Sequence, residues 1–272
     1  MRLLATNDDG IYAPGLWRLV EALREAGEVW VVAPDREQSG VGTSVTLHTP
    51  LRIKEITPPL PGIPSFAVEG TPGDSVVLAL GHIIKGGVDL VVSGINEGAN
   101  LGMDVFISGT VGGAFQGYFY GLPALAVSVA SLEKVHFGPA ARLALLLVQR
   151  VAGGELPKEL LLNVNLPNVP LEELQGMEVT ALARRSYTDV IQEGHDGKSK
   201  YYWIVRGKAQ WDAQPGSDVL AIRQNRVSVT PLRGGPGNHR AADALKKILP
   251  EVFQELQRGG SPPARRRGRD KR

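Results

Sequence analysis

Residues 1–34 read MRLLATNDDGIYAPGLWRLVEALREAGEVWVVAP, and this stretch decides the fold. The apolar run Arg2–Thr6 predicts a buried strand that ends in the polar loop Asn-Asp-Asp-Gly. Apolar residues at helical spacing follow over residues 16–23, and residues 29–33 predict a second apolar strand. A strand, a helix and a strand in this order almost always form a right-handed crossover in a parallel sheet. The sequence therefore begins with one β-α-β unit.

The same alternation continues along the first 167 residues. Helical spacing of apolar residues, with Pro72 at an early helical position, predicts helices at residues 72–84, 110–120 and 139–152. Apolar runs predict further strands at residues 89–93, 125–129 and 160–164. Strands that alternate with helices in this way predict a doubly wound α/β core with a mostly parallel sheet.

The pattern changes after residue 167, where short β-rich segments are separated by Gly, Asp and Asn. These segments predict hairpins or an arm added to the core, and they cover residues 176–183, 200–206, 218–222 and 226–230. Residues 239–256 predict a final amphipathic helix. We therefore expect a single domain over residues 1–257, with a core at about 1–167 plus 239–257 and a β-rich extension at about 168–238.

Composition narrows the class of protein. The 272 residues are 43% hydrophobic and 21% charged, as in an ordinary globular protein. The chain has no cysteine, which excludes disulfides, thiolate metal sites and cysteine nucleophiles. It begins with a predicted strand instead of a signal peptide, and its longest apolar runs are far shorter than the roughly 20 residues of a membrane span. These features predict a soluble, cytoplasmic protein with no membrane partner.

The charge of the chain is unevenly placed. The net charge is +2, but the last eight residues, RRRGRDKR, carry six basic residues and one acidic residue. The rest of the chain is therefore slightly acidic. We predict that residues 258–272 form a disordered, solvated tail, with weak nucleic-acid binding as the alternative role. Nucleic acid is not the partner that we expect for the domain itself.

Polar residues gather in the loops that follow the predicted strands. In doubly wound sheets, ligands bind beyond the carboxyl ends of the strands, at the point where the strand order reverses. The first strand is followed by Asp8 and Asp9, the second by Ser39, and the strand at residues 89–93 by a Gly/Asn-rich loop that contains Asn96. We expect the functional site at this edge of the sheet.

Asp8 and Asp9 are the first candidates for chemistry. Two adjacent carboxylates repel each other, and burial without a counter-charge would keep one of them protonated. A divalent cation removes this conflict, and oxygen ligands suit Mg²⁺ or Mn²⁺. The pair alone is also compatible with an acidic turn or a helix cap in water, since Asn-Asp-Asp-Gly is a plausible turn sequence. Its position at the end of the first strand favours a functional role.

A second candidate lies at Ser108, Gly109 and Thr110, directly before a predicted helix. Backbone N–H groups and hydroxyls at a helix N-terminus form a site for an anion such as phosphate. A plain Ser or Thr N-cap is the alternative.

The chain lacks the characteristic motifs of several other enzyme classes. The first strand-to-helix turn has no Gly-x-Gly-x-x-Gly, and no Gly-x-x-x-x-Gly-Lys-Ser/Thr occurs anywhere. Ser39 is not part of Gly-x-Ser-x-Gly, and no two of the five histidines have the spacing of metal ligands. A nicotinamide dehydrogenase, a P-loop NTPase and an α/β-hydrolase are therefore disfavoured.

Eight stretches of sequence carry a resemblance to a known family. They are TNDDG (6–10) with GL (15–16), VVAPDREQSG (31–40), GTPGD (70–74), LVVSGINEGANLG (90–102), SGTVGG (108–113), GLPALAVS (121–128), LNVNLP (162–167) and VSVTPL (227–232). Together, in this order, they closely resemble the SurE family of survival proteins and 5′/3′-nucleotidases.

The resemblance implies a Rossmann-like core whose β-rich extension forms a hairpin exchanged between subunits, giving a homodimer or homotetramer. It implies a metal-dependent 5′-nucleotidase, an acid-type phosphatase for nucleoside 5′-monophosphates, with 3′-monophosphates and short polyphosphate as further substrates. One divalent cation per subunit, Mg²⁺ or Mn²⁺, maps by resemblance onto Asp8, Asp9, Ser39 and Asn96. The phosphate maps in the same way onto Asn96, Ser108, Gly109 and Thr110.

The implied mechanism makes Asp8 and Asp9 the catalytic residues. The cation would polarise the phosphoryl group, and one of the two aspartates is a candidate acceptor for the proton of the attacking water. Gly73 and Ser75 stand where the family usually has Ala and Cys, and Ile107 stands where it often has an aromatic residue. These differences leave the reaction intact and put the substrate preference in question.

Two alternative functions remain open from the sequence. A non-catalytic nucleotide sensor would use the same loops, and an RNA-associated protein would use the basic tail and the face near Arg184 and Arg185. The extension could wall a nucleoside pocket with these two arginines, Tyr187 and the aromatic run at residues 201–203. The alternative is that the same residues pack the hairpin, and we favour packing.

Overall fold

Thirteen strands and six α-helices make up the described part of the chain, residues 1–186, 189–206, 210–232 and 238–258, in a computed structural model. The strands are β1 (Arg2–Thr6), β2 (Glu28–Pro34), β3 (Ile53–Glu55), β4 (Ser65–Val68), β5 (Leu90–Glu97), β6 (Ala124–Ala130), β7 (Leu161–Pro167), β8 (Met177–Val179), β9 (Arg184–Ser186), β10 (Asp189–His195), β11 (Lys200–Arg206), β12 (Gln210–Asp212) and β13 (Val227–Pro231). The helices are α1 (Pro14–Leu23), α2 (Pro72–Leu78), α3 (Gly109–Phe119), α4 (Phe137–Ala152), α5 (Asp218–Arg223) and α6 (Asn238–Gln257).

Nine of these strands form one central sheet, in the order β3-β4-β2-β1-β5-β6-β7-β13-β8. The six strands from β4 to β7 in this order run parallel to one another. The chain passes from β1 outward through β2 and β4, and then returns to β5 on the other side of β1. The strand order therefore reverses between β1 and β5, where sheets of this kind bind their ligands. The predicted doubly wound, mostly parallel α/β fold is confirmed.

The two faces of the sheet are covered by different helices. On one face, Leu3 and Ala5 pack in a cluster with buried residues of α1, α4 and α6. On the other face, Leu4 packs in a cluster with Val76 of α2 and Val111 of α3. Burial on both faces explains why the strands were recognisable as continuous apolar runs, because parallel strands covered on both sides leave no polar face.

Three segments differ from the sequence prediction. Strand β5 continues to Glu97, although we predicted its end at residue 93. Residues 218–222 belong to helix α5, because the Ser217 hydroxyl accepts a hydrogen bond from the Leu220 N–H and begins a helix where we predicted a strand. Of the segment predicted at residues 226–230, residues 227–230 lie within β13. This strand pairs antiparallel with β7 and parallel with β8, so it widens the central sheet instead of forming an arm.

The rest of the extension contains a separate antiparallel hairpin, β10 and β11, and a short pair, β9 and β12. This confirms a β-rich extension and a final helix, since α6 follows at Asn238–Gln257. The division into core and extension stays a prediction. The predicted basic tail lies outside the described residues, apart from Arg258. Among the described helices, none is both long and apolar enough to cross a membrane.

Candidate active site

The loop after β1 is held in a tight turn against the loop after β2. The Asn7 side chain donates from Nδ2 to the carbonyl oxygen of Gly10, at 2.9 Å. The Gln38 N–H donates to the carbonyl oxygen of Asp8, at 2.7 Å. Gly10 has a φ of +98°, which a residue with a side chain rarely adopts. These contacts fix the backbone from which Asp8 and Asp9 project, close to the point between β1 and β5 where the strand order reverses.

Asp8 is buried beneath the N-terminus of α3. Only 4% of the residue is exposed, and the Thr110 hydroxyl donates to its Oδ1 at 2.5 Å. Burial raises the pKa of Asp8, while hydrogen bonds from the hydroxyl and the backbone N–H of Thr110 partly oppose this rise. Gly109 packs directly on the carboxylate, since a Cβ at Gly109 would lie 2.8 Å from the Cβ of Asp8. The first turn of α3 therefore sets the orientation of Asp8.

The surroundings of Asp9 destabilise its ionised form. Burial is the main cause that raises its pKa to about 7, and the neighbouring charge of Asp8 is the second. Its Oδ2 atom is buried and has no hydrogen-bond partner in the protein. A buried carboxylate oxygen without a partner is costly, and native structures rarely leave one. A cation between the two carboxylates would remove both the missing contact and the repulsion.

Ser39 and Asn96 bring neutral oxygen atoms to the same place. Asp8, Ser39, Asn96 and Ser108 all line one cavity of about 360 Å³. The Asn96 side chain donates from Nδ2 to the Gly98 carbonyl at 2.7 Å, which leaves its carbonyl oxygen as the atom for a ligand. The Ser39 hydroxyl donates to the Glu37 carboxylate at 2.7 Å and keeps its lone pairs.

The chemistry of this donor set fits a hard divalent cation. Within the described residues, no group of three His, Asp or Glu side chains is placed to hold a metal. A cation at this position would therefore be held by two carboxylates together with hydroxyl and amide oxygens. An all-oxygen set suits Mg²⁺ or Mn²⁺ better than Zn²⁺ or Cu²⁺.

The segment at residues 108–110 divides into two parts. Ser108 lines the cavity, and its Oγ accepts from the Val111 N–H at 3.2 Å, so its own hydroxyl hydrogen can serve an anion. The Gly109 N–H precedes the first backbone hydrogen bond of α3, from Gly112 to Ser108. Thr110 is fully buried, and both of its donors are directed to Asp8. The structure thus brings Ser108 to the cavity, packs Gly109 against Asp8 and directs Thr110 to Asp8.

Sequence reasoning missed the group that holds the loop after β5. Asn100 is the centre of this group. Its N–H donates to Asn165 Oδ1 at 2.8 Å, and its carbonyl oxygen accepts from the side chains of Asn163 and Asn165 at 2.8 and 3.0 Å. Its own Nδ2 donates to the Ser128 hydroxyl at 2.9 Å. The signal was present in LNVNLP, because asparagines at alternate positions of a strand lie on one face.

A second missed residue, Asp74, organises the loop that carries Ser39. Asp74 is fully buried and accepts from the N–H and the hydroxyl of Thr46, both at 2.7 Å. It also accepts from the Thr71 N–H at 2.9 Å, in a capping box at the start of α2. The stretch GTPGD carries part of the family resemblance, and in the structure its aspartate positions the loop.

The candidate nucleoside-stacking residues lie elsewhere. Tyr201, Tyr202 and Trp203 are on β11 of the hairpin, and they are 45%, 58% and 65% exposed. Tyr201 nevertheless packs across the hairpin on Gly194 of β10, since a Cβ at Gly194 would lie 2.3 Å from the Tyr201 ring. Whether these aromatic residues pack the hairpin or wall a nucleoside pocket stays a prediction. Arg184 is exposed on β9, and the side chains of Arg185 and Tyr187 lie outside the described part of the structure.

Fold and site together define a Rossmann-like α/β protein with a cavity between Asp8 and the N-terminus of α3, close to the point where the strand order reverses. The sequence model of the family described as "Survival protein SurE" matches residues 3–189. With more than half of its length matched, the chain belongs to the SurE family.

Individual relatives agree with this assignment. The chain is similar to a protein named 5′-nucleotidase SurE from Dehalococcoides mccartyi strain CBDB1, with 46% identity over 234 residues, covering 85% of this chain and 88% of the relative. It is 42% identical to a protein of the same name from Legionella pneumophila strain Corby, over 94% of this chain and 100% of the relative. The crystal structure of the SurE protein from Aquifex aeolicus matches with a TM-score of 0.74 and 38% identity, covering 91% of this chain and 99% of that one.

Proposed function

We propose that this protein is a metal-dependent phosphomonoesterase that hydrolyses nucleoside 5′-monophosphates to nucleoside and phosphate. One observation carries the proposal: Asp8, Ser39, Asn96 and Ser108 converge on one cavity, and the adjacent residue Asp9 has a buried oxygen with no hydrogen-bond partner. The name shared by the relatives, 5′-nucleotidase SurE, supports the same activity. The proposal includes 3′-monophosphates and short polyphosphate as further substrates, and a cytoplasmic location, where nucleoside monophosphates are made and consumed.

The proposed cofactor is one divalent cation per subunit, Mg²⁺ or Mn²⁺. Asp8, Asp9, Ser39 and Asn96 would hold it. When bound, the cation would supply Lewis-acid polarisation of the phosphoryl oxygens. The fit rests on the charge conflict of the two aspartates and on the neutral oxygens that face the same cavity.

The protein's own groups would orient the phosphate. The Ser108 hydroxyl and the Gly109 N–H donate to phosphate oxygens at the N-terminus of α3, where the helix dipole favours negative charge. Thr110 keeps the Asp8 carboxylate in one orientation through its hydroxyl. The acceptor for the water proton is one of the two aspartates, and Asp9 is the one that has a buried oxygen without a partner.

A substrate panel crossed with a metal panel tests this function. Phosphate release would be measured from 5′- and 3′-monophosphates, p-nitrophenyl phosphate and tripolyphosphate, after chelation and then with added Mg²⁺, Mn²⁺, Ca²⁺ or Zn²⁺. We expect release that requires a cation and is fastest with 5′-monophosphates. Nucleotide binding without release would instead indicate a sensor. RNA binding without release, lost when residues 265–272 are removed, would indicate the RNA-associated alternative.

The proposal also includes a homodimer or homotetramer assembled through the hairpin of β10 and β11. The hairpin exposes large apolar residues of both strands: Val190, Ile191, Tyr201, Tyr202, Trp203 and Ile204. A two-stranded hairpin is marginally stable by itself, and apolar patches of this kind mark protein contacts. The mass in solution, measured by light scattering, should fall to that of a monomer when Trp203 and Ile204 are both changed to Glu. A Lys198→Glu change at the hairpin tip is the control. An unchanged mass in the double variant would contradict this route of assembly.

A further inference from the structure

Asp218 is fully buried, and its carboxylate is not one of the proposed metal or phosphate ligands. Asp218 is the first residue of α5, in the C-terminal extension. Its Oδ2 accepts from the Gly102 N–H at 2.7 Å, and its Oδ1 accepts from the Ala183 N–H at 2.9 Å and from the Val219 N–H at 2.8 Å. One side chain therefore connects the extension to the loop between β5 and α3.

Gly102 is where that loop turns toward the phosphate side of the site. It has a φ of +54° and begins a short 3-10 helix, Gly102–Phe106. The carbonyl oxygen of Asp104 in this helix accepts from the Ser108 N–H at 3.0 Å, and Ser108 caps α3. A shift of Gly102 would therefore be transmitted through one helical turn to Ser108 and Gly109.

The loop has two separate anchors. Asn100 is bonded to side chains of β6 and β7, close to the metal-ligand candidate Asn96. Gly102, which is close to Ser108 along the chain, is anchored by the hydrogen bond from its N–H to Asp218 of the extension. The two halves of the site are thus fixed by different parts of the fold, and a change at one anchor should affect one half.

We propose that Asp218 is a positioning residue for the phosphate-binding half of the site, acting through the Gly102 N–H on Ser108 and Gly109. This inference rests on the proposed function. A carboxylate is costly at a fully buried position, and the three N–H donors offset that cost through charge-assisted hydrogen bonds. An apolar residue would fill the inner side of α5 but would leave the Gly102 N–H without its acceptor.

The variant Asp218→Asn isolates the contact with Gly102. An asparagine can keep its oxygen on Ala183 and Val219, and its NH₂ group then faces the Gly102 N–H, donor against donor. The shape of the side chain is retained. Ser217→Ala is the matched control, because it removes the N-cap of the same helix without touching Gly102.

Hydrogen–deuterium exchange and kinetics on the full chain test the proposal. Peptides that cover residues 99–108 should exchange faster in Asp218→Asn than in the wild type. The KM for AMP should rise about tenfold, as expected for loss of one charge-assisted hydrogen bond. The dissociation constant for Mn²⁺ should stay unchanged, because the Asn100 anchor is intact. Ser217→Ala should keep the wild-type KM even where its melting temperature falls.

Three outcomes would overturn the inference. They are an unchanged KM in an active Asp218→Asn, an equal rise of KM in Ser217→Ala, and unchanged exchange of residues 99–108. If Asp218→Asn does not fold, Gly102→Ala strains the same turn from the other side and should raise the KM in the same way. A wild type that releases no phosphate would overturn the proposed function and this inference together.

Discussion

Two carboxylate sites in this protein, the Asp8–Asp9 pair after β1 and Asp218 at the start of α5, differ in what their oxygens contact. The oxygens of Asp218 accept three backbone N–H groups. In the pair, Asp8 accepts a hydrogen bond from the Thr110 hydroxyl, but a buried oxygen of Asp9 has no hydrogen-bond partner. Burial is the main cause that raises the pKa at all three residues.

The comparison shows that burial alone does not distinguish a ligand site from a structural anchor. A carboxylate whose oxygens are satisfied by backbone N–H groups holds the backbone in place. A carboxylate pair with a missing contact and mutual repulsion is stabilised by a proton at low pH and by a bound cation at higher pH. The experiments below test whether the pair behaves in this second way.

The largest effect is expected from Asp8→Asn. Loss of this carboxylate should lower kcat/KM for AMP by about a thousandfold or more, since a cation supplies several kcal/mol of transition-state stabilisation. The fold should survive, because an asparagine can still accept from the Thr110 hydroxyl. Asp89→Asn, at the opposite edge of the same sheet, is the control and should retain full turnover. Turnover of Asp8→Asn within tenfold of the wild type would rule out the metal assignment.

Gly109→Ala should have the next largest effect. A Cβ there would lie 2.8 Å from the Cβ of Asp8 and 2.9 Å from its Oδ2, so Asp8 must move. We expect turnover to fall about tenfold to a hundredfold, in line with a typical overpacking penalty of 1–3 kcal/mol. Gly138→Ala, in the first turn of α4 with open space around it, is the matched control and should have wild-type activity. Equal activities of the two variants would contradict the close contact.

The affinity for metal should depend on pH through Asp9. Its pKa is raised to about 7, so below that pH the carboxyl holds a proton that the cation must displace. The dissociation constant for Mn²⁺ should rise about tenfold for each pH unit below about 7. Calorimetric titrations from pH 5.5 to pH 8.5 would measure this, and a constant affinity between pH 5.5 and pH 7 would be inconsistent with it.

The smallest effect is a change of stability in Asp9→Asn. The folded protein holds the Asp9 proton up to about pH 7, whereas the unfolded chain releases it near the ordinary value of 3.8. The folded state therefore loses stability as the pH rises from about 4 to about 7. Metal-free Asp9→Asn should be about 1–3 kcal/mol more stable than the metal-free wild type at pH 8, a few degrees in Tm.

The same two proteins compared at low pH, and again with Mn²⁺, provide the controls for this stability difference. At pH 3.5, where Asp9 is protonated in the folded state, the two metal-free proteins should melt within error of each other. With Mn²⁺ at pH 8 the order should reverse, because only the wild type gains stability from the bound ion. A metal-free variant that melts below the wild type at pH 8 would show that the pair is not strained.

Much of the fold was predictable because parallel strands are buried on both faces. The run Arg2–Thr6 and the helix before residue 28 identified the first crossover, and the doubly wound class followed from the same alternation. Helix α5 was predicted wrongly, because the apolar residues after Asp218 resemble a strand and the N-cap signal of Ser217 was overlooked. β13 was assigned to an arm, because a short strand does not reveal which neighbour it will pair with.

The candidate site was predictable only in part, for a physical reason. Its loops follow strand ends, so Asp8, Asp9, Ser39 and Asn96 could be placed at one edge of the sheet. The contacts between distant residues could not be placed in this way. Thr110 reaches Asp8 across 102 positions, and Asn100 reaches Asn163 across 63. Such contacts depend on how α3 and the loop after β5 dock on the sheet, which local patterns do not encode.

The most direct test of the central claim is a titration of Mn²⁺ into the metal-free full-length protein, followed by calorimetry. The account predicts one site per subunit in the wild type and loss of that site in Asp9→Asn, whose amide removes the charge conflict that a cation would resolve. Binding of equal stoichiometry and affinity in the two proteins would contradict it.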